Sequence, residues 1–100
     1  VVLEEGFALQ FNASDMIDLV NKAVTAAGGK TEFIDKPFSG SEDFSFFGKL
    51  TGTPSAFMMI DAGRGENMVS LHNGKVVFDE NVIKHGVTGL SAIALEYLAQ

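Results

Sequence analysis

Ala56-Phe57-Met58-Met59-Ile60 decides how the chain is read as a fold. The run is continuous, apolar and of strand length. It fits a strand covered on both faces, as in a parallel sheet. Thr51-Gly52-Thr53-Pro54 forms a turn before it, and residues 61–70 form a loop around Gly63 and Gly65 after it.

The flanking segments supply helices. Upstream, Asn12-Ala13-Ser14-Asp15 is a helix-start signal, because a side-chain oxygen there can accept from the free N–H groups of a first turn. Met16, Leu19, Val20, Ala23, Val24 and Ala27 then recur at helical spacing up to Gly28-Gly29, which predicts a helix over 14–28. Downstream, Asp79 is placed to cap a helix over 80–98. Its apolar stripe runs through Val82, Ile83, Val87, Leu90, Ile93, Ala94 and Leu98. Gly86 and Gly89 weaken that helix by roughly 1 kcal/mol each relative to alanine, which points to close packing there.

Three shorter pieces complete the pattern. Phe7, Leu9 and Phe11 alternate at period two, so residues 1–11 read as a strand or a link. Thr31 to Asp35 is β-prone and ends before Lys36-Pro37. Glu42-Asp43 precedes Phe44, Phe46, Phe47 and Leu50, which predicts a short helix over 42–50 with its acidic end at the helix start. The order is strand, helix, strand, short helix, strand, helix. This is an α/β pattern with a partial sheet and helices packed on it. A sheet of two or three strands is thin, so another stretch of the same protein or a second copy is expected to complete it.

Composition narrows the function classes. An apolar fraction of 46% excludes a disordered tail. The net charge is −6, and the seven basic residues are scattered from Lys22 to Lys84. Nothing here neutralises a run of phosphates, so neither nucleic acid nor an anionic membrane is an expected partner. There is no cysteine, hence no disulfide and no thiolate metal site, which fits a cytoplasmic, reducing compartment. No apolar run reaches the roughly 20 residues of a membrane span. Residues 1–5 lack the pattern of a signal peptide, and the absence of an initial methionine suggests a piece of a longer chain.

Two loops could carry chemistry. His72 lies among Leu71, Asn73 and Gly74, and neutral imidazole is the commonest protein metal ligand. A zinc site wants about four ligands, so the plainer account is a solvated loop histidine. Ser39-Gly40-Ser41-Glu42-Asp43 offers hydroxyls and backbone N–H groups that can hold an oxyanion, although helix capping explains the same residues. His85 falls off the apolar stripe and reads as an exposed helix residue. Gly63-Arg64-Gly65 lacks the third glycine of a dinucleotide fingerprint, and Arg64 reads as a solvated loop residue. A Ser41–His72–Asp61 triad lacks the Gly-x-Ser-x-Gly elbow that would support it.

Taken in order, Ser39-Gly40-Ser41-Glu42-Asp43-Phe44, the strand after Pro54, Leu71-His72-Asn73 and Phe78-Asp79-Glu80 carry a resemblance. The set resembles the C-terminal part of the catalytic domain in zinc-dependent amidohydrolases and exopeptidases of the aminoacylase–carboxypeptidase type. Hippurate hydrolase and acetyl-diaminopimelate deacetylase are among that group's relatives. The resemblance implies a larger three-layer α/β/α metallohydrolase domain with two metal ions, usually zinc, per parent subunit, acting on N-acyl amino acids or peptides. It makes His72 a metal ligand and places Ser41, Glu42 and Asp43 at the substrate. Residues 1–10 become the end of an inserted dimerisation domain or a linker, and residues 11–100 the C-terminal segment of the catalytic domain. The partners it implies are the rest of the parent chain and a second parent subunit. The remaining ligands and the catalytic glutamate of that family have no counterpart here, and Gly52-Thr53-Pro54-Ser55 stands where the family often has Pro-Gly. The chain alone is therefore expected to be inactive. A different class of reading is a non-catalytic α/β module that binds a protein through an open sheet edge.

Overall fold

A computed structural model describes residues 6–37, 39–62 and 69–100. Three helices lie in this range: α1 (Ser14–Ala26), α2 (Ser45–Thr51) and α3 (Val82–Leu98). No β-strand is present among the described residues, so the architecture is helical with extended connections. This corrects the α/β expectation and its partial sheet. The reading of Arg64 and the beginning of the expected strand over 1–11 lie outside the described residues.

The failure of the sheet has a local cause. The Ala13 amide donates to the Ser55 carbonyl at 2.9 Å, so the segment before α1 does meet the segment after Pro54. The next bond is not a ladder bond: the Phe57 amide donates to the Asn12 side-chain oxygen at 2.8 Å. The Ala13 carbonyl accepts from the Ile17 amide at 3.0 Å and so belongs to α1. Pro54 has no N–H to offer. Among the described residues one backbone bond joins these two segments, and a strand needs a repeating ladder. Residues 31–35 are exposed throughout, and Thr31 hydrogen-bonds through its hydroxyl to the Asn21 side chain instead of to a neighbouring strand.

The helices follow the periodic pattern closely. In α1, Leu19 and Ala23 are buried while Asp15, Asp18, Lys22 and Thr25 form an exposed polar line. Its start differs from expectation. Asn12 is committed to Phe57, Ala13 supplies no side-chain cap, and the Asp15 carboxylate accepts only from the adjacent Met16 amide. Its end is a Schellman turn. Gly28, at φ +85°, donates to Thr25 and Gly29 donates to Val24 at 2.9 Å. α1 and α3 pack together, and Lys22 bridges to Glu96 at 2.6 Å. An exposed pair of this kind contributes about 0.2–1 kcal/mol.

α2 packs on neither long helix. It lies instead on the extended segments, with Phe44 stacked at 5.5 Å against Phe57 and Phe46 at 6.3 Å from Phe7. Burial is sparse. Leu19, Ala23 and Ala62 are the buried apolar residues among those described. The Cα radius of gyration is 15.7 Å, larger than the about 13 Å of a compact domain of this length.

Candidate functional site

His72 sits in a turn over residues 71–75 that its neighbour builds. The Asn73 amide donates to the Leu71 carbonyl at 2.7 Å, and the Asn73 side-chain oxygen accepts from the Lys75 amide at 2.9 Å. The Asn73 carbonyl then accepts from Val76 at 3.0 Å. Asn-Gly is a turn dipeptide because asparagine can bond its own backbone two residues on. The result is an exposed His72 whose imidazole hydrogen-bonds to no described residue. The chain leaves this turn toward α3, and the Asp79 amide donates to the carbonyl of buried Ala62 at 3.2 Å. That bond ties the turn to the end of the 56–62 segment.

The second loop is held from below. Ser41, Glu42 and Asp43 are exposed. They precede α2 by way of a turn at residues 43–44, so the expected helix over 42–50 begins later, at Ser45. The Glu42 carbonyl accepts both the Ser45 amide at 3.2 Å and the Ser45 hydroxyl at 2.7 Å. The Glu42 carboxylate turns back to accept the Phe44 amide at 3.1 Å. Ser45 is the buried polar residue among those described, at 4% exposure. Sequence reasoning missed Asn73 and Ser45. The Asn-Gly pair was a usable signal for the first, whereas a serine among phenylalanines announces nothing.

At the start of α3, the Asp79 carboxylate accepts the Asn81 amide and side-chain N–H groups, both at 2.9 Å. The cap position itself is Asn81, not Asp79. The backbone bond from Asn81, then its side-chain bond, hold the Asp79 carboxyl below its ordinary range. The nearby positive charges of Lys84 and His85 act in the same direction. His85 is exposed on α3.

The described residues do not assemble a metal centre. No three histidine, aspartate or glutamate side chains come together among them, and zinc takes about four donors. His72 is one donor without companions. Two grooves among the described residues are lined by none of His72, Ser41, Glu42 and Asp43; the one of about 390 Å³ runs between Leu9–Phe11, Gly48-Lys49 and Thr53–Ser55. No hydrogen bond joins Ser41 to His72, so the Ser41–His72–Asp61 triad is not formed. No helix among the described residues is long and apolar enough to cross a membrane.

Residues 1–96 match peptidase family M20/M25/M40. The chain belongs to this family. It is similar to the hippurate hydrolase of Campylobacter jejuni subsp. jejuni serotype O:2, with 28% identity over 89 residues. That alignment covers 87% of this chain and 22% of the relative, so the chain spans about a fifth of that relative's length. No solved structure matches. The match to the M20/M25/M40 family takes in both loops, the 56–60 segment and nearly all of α3.

Proposed function

We propose that the chain is the C-terminal catalytic segment of a longer hydrolase that cleaves amide bonds in N-acyl amino acids or peptides. Membership of peptidase family M20/M25/M40 is the observation that carries this reading. Residues 1–10 would be the end of an inserted dimerisation domain or a linker, and residues 11–100 part of the catalytic domain of a homodimeric parent.

The roles of the residues follow from what each can offer. His72 presents an imidazole that no described residue engages, and it would be one donor to a divalent metal, zinc by the resemblance. The other donors, and a general base, would come from elsewhere in the parent. The described residues do not fit a complete metal centre, so no catalytic step is assigned to a metal here. Ser41 offers a hydroxyl to a substrate. Asp43 keeps its carboxylate unengaged by described residues, while Glu42 has part of its acceptor capacity taken by the Phe44 amide. The chain alone would be inactive.

The alternative of a module binding through a sheet edge loses its physical basis, because no strand is present among the described residues to offer an edge. The deciding assay is hydrolysis of N-acyl amino acids, hippurate first, by the longer polypeptide expressed in its own reading frame. Release of the free amino acid supports the reading. An inert longer polypeptide, folded and metal-loaded, would remove it.

A further inference from the structure

α3 carries two apolar faces, and its neighbours cover one. Gly89 faces α1: a Cβ there would stand 3.8 Å from the Val24 Cγ2. Glu96 meets Lys22 on the same side. Gly86 is buried and faces Ile60. Ile83, Val87, Leu90 and Ala94 form a separate line at spacings of three and four. At roughly 100° per residue this line lies roughly 130° round the helix from the α1 face. It is open: Val87 is 61% exposed and Leu90 58%. Exposed Ile60 borders it at Gly86.

A helix that is apolar on two sides is the pattern of a helix covered on two sides. We propose that the Ile83–Val87–Leu90–Ala94 face is the seat of the remainder of a longer polypeptide, packed against α3 opposite α1. This inference rests on the reading of the chain as a segment of a longer hydrolase, and it names the face by which the segment joins the rest. Two observations select this occupant. The matched hippurate hydrolase has about four fifths of its length outside the alignment, enough chain to supply a covering layer. The segment by itself is more open than a compact domain of its size. The polar line Asp15, Asp18, Lys22 and Thr25 leaves the outer side of α1 as solvent surface, so α3 becomes an inner layer.

The test is thiol accessibility, made possible by the absence of cysteine in this stretch. Val87→Cys, Ala94→Cys and the control Lys84→Cys are placed singly in the longer polypeptide, with its other cysteines replaced. Labelling rates are measured alongside sedimentation. Val87→Cys and Ala94→Cys are expected to label about 100-fold slower than Lys84→Cys in the monomer, since access then requires local opening. Two positions are used so that one poorly folding variant does not decide the result. Equal labelling at all three positions overturns the proposal. So does protection that rises with protein concentration, which assigns the face to a second copy. Labelling needs neither substrate nor metal, so loss of the hydrolase reading and loss of this one are separate results.

Discussion

Ile60 rests on Gly86: its Cδ1 lies 3.1 Å from where a β-carbon on Gly86 would stand. This contact brings the apolar 56–60 run, which forms no strand, against the helix that follows the His72 turn. Gly86 and Gly89 thus differ in how closely their neighbours approach. At Gly89 the nearest atom is Val24 Cγ2, at an ordinary 3.8 Å.

Gly89→Ala is therefore expected to stabilise the protein by about 1 kcal/mol, the helix-propensity difference, with a methyl contact to Val24 added. Gly86→Ala gains the same backbone term but pushes on Ile60. That methyl ends a flexible, half-exposed side chain and can yield, so the variant stabilises by less. Gly86→Leu displaces Ile60 and costs roughly 1–3 kcal/mol. Urea unfolding of the three variants gives the order, and a Gly89→Ala variant less stable than Gly86→Ala would contradict it.

Ser45→Ala removes the hydroxyl bond to the Glu42 carbonyl but leaves the amide bond, so the carbonyl is not orphaned. The expected loss is about 1 kcal/mol, with Ser45→Thr largely retaining stability. Hydrogen exchange at Ser45 and Phe46 should quicken in the alanine variant. Unchanged exchange would show that the buried hydroxyl does not hold the 41–43 loop.

Asp79 should titrate below an ordinary carboxylate because the Asn81 backbone and side-chain N–H groups bond its charged form. Its folded-state value lies below its unfolded one. The stability it contributes is therefore present above the unfolded value and lost as pH falls through the folded value. Carboxyl NMR resonances followed against pH check this. In Asn81→Ala the midpoint should rise only part of the way, since the backbone bond, the larger cause, remains. Added salt should raise it a little further by screening Lys84 and His85.

The helices were legible because an amphipathic period depends only on the segment itself. Leu19 and Ala23 on α1 fell where a period of 3.6 puts them, and α3 formed over nearly the expected range, although Ile83, Val87 and Leu90 of its apolar stripe are exposed. The strands were not legible in the same way. Ala56–Ile60 has strand composition, but a strand exists only with a partner ladder, and Asn12, Ala13 and Pro54 divert the bonds that would make one. The helix-start signal at Asn12–Asp15 failed for the same reason, as Asn12 answers a distant amide. His72 and the Ser41–Asp43 loop were singled out by their ordered resemblance to a family, to which the chain belongs. Their chemical roles depend on groups that these hundred residues do not bring together.

We propose that His72 is a metal donor in a longer amidohydrolase. It is tested most directly by metal content per subunit in the longer polypeptide, wild type against His72→Ala, with His85→Ala as the control on the other histidine. The account predicts that His72→Ala loses bound divalent metal and at least about 100-fold in hydrolysis of N-acyl amino acids, at the upper end of what supporting-residue changes cost a metal site. His85→Ala should keep both. Full metal occupancy and undiminished hydrolysis in His72→Ala would contradict the account.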